Sequence, residues 1–161
     1  MLTIIRKQKI TVEDMTIALT YLLDKSSQDD SVRTLAINIT ANSSDKIAAV
    51  YDWVKENIAY VEDPIDNNGI TSELFISPIR MVKDYNEGKT LAGDCDDHAL
   101  MCTALYRSIG LKSNIVLLAR HDIEYDHAVC EVESNLGMLT IDTTGNTPPG
   151  WQETYTKKLV I

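Results

Sequence analysis

The spacing of apolar positions changes character along this chain, and each change marks a structural boundary. In the first third, Met15, Ala18, Leu19, Leu22 and Leu23 recur at helical spacing behind Thr11-Val12-Glu13-Asp14, an N-cap threonine followed by first-turn acids. Ser26-Ser27-Gln28-Asp29-Asp30 interrupts the pattern and supplies a second cap. Val32, Leu35, Ala36 and Ile39 then predict a shorter helix. Ser43-Ser44-Asp45 opens a third helix, in which Ile47, Val50, Tyr51, Val54 and Ile58 fall on one face. From Glu62 to Thr90 the pattern dissolves. Asp63-Pro64, Asn67-Asn68-Gly69 and Ser77-Pro78 are turn signals, so this stretch is expected to be mostly loop, with one short helix from about Pro78 to Tyr85.

A long apolar helix is predicted from Cys95 to Ile109, stopped by Gly110. Beyond it the period shortens. Asn114 to Ala119 is a continuous apolar run, Ala128 to Glu133 alternates, and Gly137 to Ile141 is short and apolar. Ser134-Asn135-Leu136-Gly137 is a hairpin turn between the last two. Thr144 to Gly150 reads as a Pro/Gly loop, and Lys157 to Ile161 as one more edge strand. Helices first and antiparallel strands afterwards is an α+β pattern.

Composition narrows the possibilities. The chain has 161 residues, 44% of them hydrophobic, which suits one domain with one sizeable core. A formal net charge of −9 opposes nucleic acid or an anionic membrane as main partner. No apolar run approaches the ~18 residues of a membrane span. The segment Met1 to Lys7 lacks a leader pattern, so a cytoplasmic location is expected. Three cysteines, Cys95, Cys102 and Cys130, do not make a disulfide framework. Cys102 and Cys130 are expected to be buried small hydrophobes.

The chemistry concentrates at Gly93-Asp94-Cys95-Asp96-Asp97-His98. A cysteine at a helix N-terminus sits in the field of unpaired N–H groups, which favours its thiolate, and Gly93 permits a sharp bend before it. His127 begins one predicted strand and Asp142 follows the next, so the hairpin between them brings both to one end of the sheet. Cys95 as nucleophile, His127 as general base and Asp142 as the group that orients its ring form a coherent set. Asp94 and Asp96 oppose ionisation of the thiol unless they are turned away or paired. His98 can pair with a carboxylate, and His121 in Arg120-His121-Asp122 is expected to face solvent. A metal is not expected, because Asp94, Asp96, Asp97 and His98 diverge around a helix start and soft zinc ligands are too few.

Taken together, Gly93-Asp94-Cys95-Asp96-Asp97-His98-Ala99-Leu100, Ile109-Gly110-Leu111, Asp126-His127-Ala128-Val129 and Ile141-Asp142-Thr143-Thr144 resemble the transglutaminase-like superfamily. The likeness is to short stand-alone domains of bacteria and phages. Ile58 to Pro64 and Ser77-Pro78 resemble the family's approach to the cysteine, so the likeness spans about residues 45–145. It implies a papain-like α+β fold with an antiparallel sheet packed on the cysteine helix, and a triad of Cys95, His127 and Asp142. Residues 1–161 would form one domain: a helical extension over 1–44, the core over 45–145, and a tail or edge strand over 146–161. The implied reaction is thioester chemistry on an amide of a peptide or protein, by hydrolysis or by transfer to an amine, without a cofactor. Related domains often carry Gln two residues before the proline matching Pro78, where its amide helps hold the oxyanion. This chain has Ile76 there. The Cys95 backbone N–H and Tyr60 are the substitute donors, with Asp94 and Asp96 as supporting residues. The alternative is a non-catalytic scaffold, such as a phage virion component, docking a protein through its N-terminal helices.

Overall fold

The computed structural model describes residues 10–161 and, for residues 4–8, the backbone pairing alone. The first three residues, part of the segment read for a leader, lie outside the described residues. The elements run β1 (Ile4–Gln8), α1 (Val12–Ser27), α2 (Asp30–Thr40), α3 (Lys46–Asn57), β2 (Ile58–Tyr60), β3 (Ser72–Ile76), α4 (Pro78–Asn86), β4 (Leu91–Gly93), α5 (Cys95–Ser108), β5 (Ser113–Ala119), β6 (His127–Ser134), β7 (Gly137–Ile141) and β8 (Lys157–Val160).

The caps fall where the polar residues place them. Thr11 and Asp14 form a reciprocal capping box on α1, Asp29 accepts from the Ser31 N–H at the start of α2, and Asp45 accepts from the Ala48 N–H at the start of α3. Gly110, at φ 84°, ends α5, and Gly137, at φ 100°, closes the β6–β7 turn.

Helix α5 is the hub. Every residue from Ala99 to Tyr106 is buried, so the helix is apolar all round and covered on all sides. Helices α1, α2 and α3 pack on one side of it, and β5 and β6 on the other. The main sheet is antiparallel in the order β7-β6-β5-β8. The α+β architecture with an antiparallel sheet against the cysteine helix is therefore present.

The middle of the chain departs from expectation. Residues 62–90 hold the expected short helix, α4, among loops, but also an unexpected strand, β3, which pairs antiparallel with β1 from Ile4↔Ile76 to Gln8↔Ser72. Likewise β2 pairs parallel with β4, and the ladder continues through Val61 N–H to Gly93 O at 2.9 Å. Ile58 thus caps α3 and begins β2 instead of extending the helix face. These strands owe their existence to distant partners, which local periodicity does not register.

Candidate active site

The β6–β7 hairpin builds one side of the site. His127 is the first residue of β6, opposite Leu118 of β5, and Asp142 directly follows β7. The hairpin register brings His127 Nε2 to 2.7 Å from Asp142 Oδ2. Asp142 Oδ1 also accepts from the Thr144 N–H at 3.0 Å and its hydroxyl at 2.6 Å. Burial pushes the Asp142 carboxyl up, but His127 and Thr144 outweigh it and hold it down at about 2. Asp142 stands behind His127, away from the cleft.

The start of α5 builds the other side. Asp94, not Cys95, is the N-cap: its side chain accepts from the Asp96 N–H, and Cys95 is the first helical residue. Asp94 is preferred because its short carboxylate can reach the orphan N–H groups. Cys95 is partly buried, while Cys102 and Cys130 are buried and unpaired, as expected. Despite its place at the helix start, the thiol holds its proton more tightly than a free cysteine. Burial pushes the Cys95 thiol up, and the charges of Asp96 and Asp94 push the same way. The Ala128 backbone N–H, next to His127, opposes them by hydrogen bonding to the sulfur.

Cys95 and His127 line one cleft of about 290 Å³, together with Tyr60, Tyr125, Leu117 and Met15. Because Nε2 is held by Asp142, Nδ1 is the ring nitrogen left for Cys95. Tyr60 is 48% exposed at the cleft edge. Its hydroxyl is pushed up by burial and by Cys95 and Asp94, so it is a protonated donor near neutral pH.

Three residues act here in ways the sequence reading did not assign. Asp97, 1% exposed, accepts from the Ile76 N–H at 2.6 Å and so ties β3 to the first turn of α5. Gly93 makes room for it: a Cβ at Gly93 would stand 2.6 Å from Asp97 Cβ. Gly93 is there for this close approach rather than for a sharp bend, since its φ is not positive. The spacing Gly93-x-x-x-Asp97 was the available signal. Among the described residues, His98 pairs with no carboxylate. Its Nδ1 meets Thr143 Oγ1 at 2.8 Å, and burial pushes its pKa down to about 4, so it is neutral. Ile76 lies off the cleft and packs on the core. The His121 side chain is 83% exposed.

Oxygens of Asp63, Glu73 and Asp94 lie within 4.8 Å of one another, as do those of Asp94, Asp96 and Asp97. Both sets offer only carboxylate oxygen, suited to a hard cation and not to zinc.

The profile of the transglutaminase-like superfamily matches residues 33–154. The chain belongs to that superfamily. Among solved structures it is similar to a proposed cysteine protease from Cytophaga hutchinsonii, with a TM-score of 0.56 and 18% identity over 94% of this chain and 57% of that one. It is also similar to a proposed protease from Parabacteroides distasonis, with a TM-score of 0.51 and 12% identity over 87% of this chain and 31% of that one. At these identities the likeness is one of fold. The chain therefore spans little more than half the length of the first of these proteins and about a third of the second. No curated protein matches it. Among the described residues, no helix is long and apolar enough to cross a membrane.

Proposed function

We propose that this protein is a cysteine-nucleophile enzyme that cleaves or transfers amide bonds of a peptide or protein through a thioester. The observation that carries the reading is the 2.7 Å His127–Asp142 pair, whose imidazole lines the same cleft as a cysteine in the first turn of a buried helix. Cys95 Sγ attacks the carbonyl carbon as its proton passes to His127 Nδ1. The C–N bond breaks, and the amine leaves with that proton. Water or a second amine then attacks the thioester, giving its proton to His127, and Cys95 leaves and is reprotonated. Asp142 keeps Nε2 protonated and steadies the imidazolium formed in each step. The Cys95 backbone N–H, unpaired as a first-turn donor, and the Tyr60 hydroxyl supply the oxyanion's hydrogen bonds. Since the resting thiol is held protonated, proton transfer accompanies attack instead of preceding it.

The test is alkylation of the three thiols by iodoacetamide across pH, mapped by mass spectrometry, on the wild type and on His127→Ala. Selective labelling of Cys95 that falls about 10²-fold with His127→Ala is expected. Labelling of Cys95 at the rate of an ordinary thiol, indifferent to His127→Ala, refutes the reading. A second reading draws on the raised thiol and on Ile76: a retained scaffold, such as a virion component, whose assembly survives Cys95→Ala. The same experiment separates the two.

A further inference from the structure

The cleft wall on the helix side of Cys95 is made of carboxylates. Glu62 and Asp63 come from the loop after β2, Glu73 from β3, and Asp94 and Asp96 from the start of α5; a sixth acid of the cleft, Asp126, stands next to His127 on the sheet side. No Lys or Arg is among the described residues that line the cleft. Asp126 is taken by Arg120 at 3.2 Å. The other five have no ion pair among the described residues. Asp63, Glu73 and Asp94 bring their oxygens within 4.8 Å of one another.

A second observation points the same way. Asp96 is only 4% exposed and lines this cleft, yet its Oδ1 has no hydrogen-bond partner. Buried carboxylate oxygens are normally paired, because an unpaired one forfeits its hydration for nothing. Beside these acids stand Tyr60, Tyr125, Leu117 and Met15. A bare metal ion uses only the oxygens. A long basic side chain uses both surfaces, laying its aliphatic stem on the apolar groups and its charged end on the acids.

We propose that this wall is a subsite for a positively charged side chain, a Lys or Arg of a peptide substrate, seated beside the amide that Cys95 attacks. The proposal rests on Cys95 being the nucleophile. The field that would draw such a side chain is already evident in the free protein, where burial and the neighbouring Asp94 push Asp63 up to about 6. The binding step involves no covalent change. It relieves repulsion among the carboxylates of the wall.

The test is protection of Cys95 from iodoacetamide by end-blocked tripeptides that differ only at the central residue: Lys, Arg, norleucine or Glu. A Lys or Arg peptide at about ten times its Kd is expected to slow labelling about tenfold, while norleucine and Glu peptides protect far less. The preference should shrink in Glu73→Gln and vanish in Asp63→Asn/Glu73→Gln. The single variant keeps the test decisive should the double variant not fold. Equal protection by Lys and norleucine, or protection by neither, overturns the proposal while leaving the nucleophile reading intact. Failure of iodoacetamide to select Cys95 at all removes the nucleophile reading and this one with it. Stoichiometric Ca²⁺ or Mg²⁺ binding that abolishes the preference assigns the wall to a metal and also overturns the proposal.

Discussion

The two elements that meet at the cleft carry the same chemical group in and behind their walls and hold it in opposite ways. On the sheet side, Asp142 is surrounded by donors, and its carboxyl is held at about 2. On the helix side, Asp63 is pushed up to about 6, and Asp96 and Asp97 are raised well above the usual carboxylate range by burial first and by the charge of Asp94 beside them. One wall is electrostatically complete in the free protein. On the other, the carboxylates of Glu62, Asp63, Glu73, Asp94 and Asp96 have no ion pair among the described residues. The difference teaches where to look for each role: a proton-handling pair must be satisfied before substrate arrives, whereas a recognition surface gains by being left unsatisfied.

The comparison breaks most severely at Asp142. Asp142→Asn removes the charge that steadies the His127 imidazolium and leaves Nε2–H facing an amide that can present the wrong end. Cys95 labelling at pH 7 should fall about 10²-fold, read by the same mass-spectrometric mapping, with the fold intact by circular dichroism. In the wild type the pair should lose its contribution to stability only as pH falls from about 4 toward about 2. This follows because a carboxyl depressed to about 2 stays ionised above that pH.

The next effect falls on the opposite wall. Gly93→Ala drives a methyl into Asp97, with contacts of 2.6 and 2.7 Å to its Cβ and Oδ2. A loss of about 1–3 kcal/mol in unfolding free energy by urea is expected. Its signature is local: the β3–α5 tie through Ile76 N–H should loosen in hydrogen exchange, while exchange in β6 and β7 changes little.

The smallest effect sharpens the contrast by its sign. Asp63→Asn keeps an oxygen for the Leu74 N–H, which Asp63 Oδ2 now accepts at 2.7 Å, but removes a charge that the fold disfavours. A carboxyl raised to about 6 binds its proton more tightly folded than unfolded. Wild-type stability therefore falls, on this account, as pH rises from about 4 to about 6. Asp63→Asn should raise the melting temperature at pH 7 and leave it nearly unchanged at pH 4. A drop at pH 7 would mean the carboxylate is already paired by a cation in solution.

Much of this was legible in the residues, and the boundary of legibility is physical. Caps and amphipathic faces are local, so α1, α2 and α3 could be read from Thr11, Asp29, Asp45 and their apolar stripes. The hairpin that joins His127 to Asp142 is local too, and its alternation places both residues at one sheet end. Strands β1 and β3 are separated by the whole helical third of the chain. Neither Ser72-Glu73-Leu74-Phe75-Ile76 nor its partner announces a pairing without the other. The sign of the shift at Cys95 was out of reach for a related reason. Sequence shows that Asp94 and Asp96 flank the thiol, but not that burial keeps their charges close to it and strips its own solvation. Asp97 was legible only as one of several acids around a helix start, because its true partner, the Ile76 N–H, belongs to a strand the pattern did not reveal.

The pairing of β1 with β3 also imposes a timetable on folding. The β6–β7 hairpin closes across a tight turn at Asn135-Leu136, so the segment carrying His127 and Asp142 can zip up early. Strand β3 can dock on β1 only after the helices between Gln8 and Ser72 have been spanned, and closing a loop of that size costs roughly 3 kcal/mol more entropy than a hairpin turn. The proton-handling wall should therefore acquire its hydrogen-exchange protection ahead of the acidic one. In pulse-labelled refolding, amides of β6 and β7 would be shielded while those of β3 still exchange.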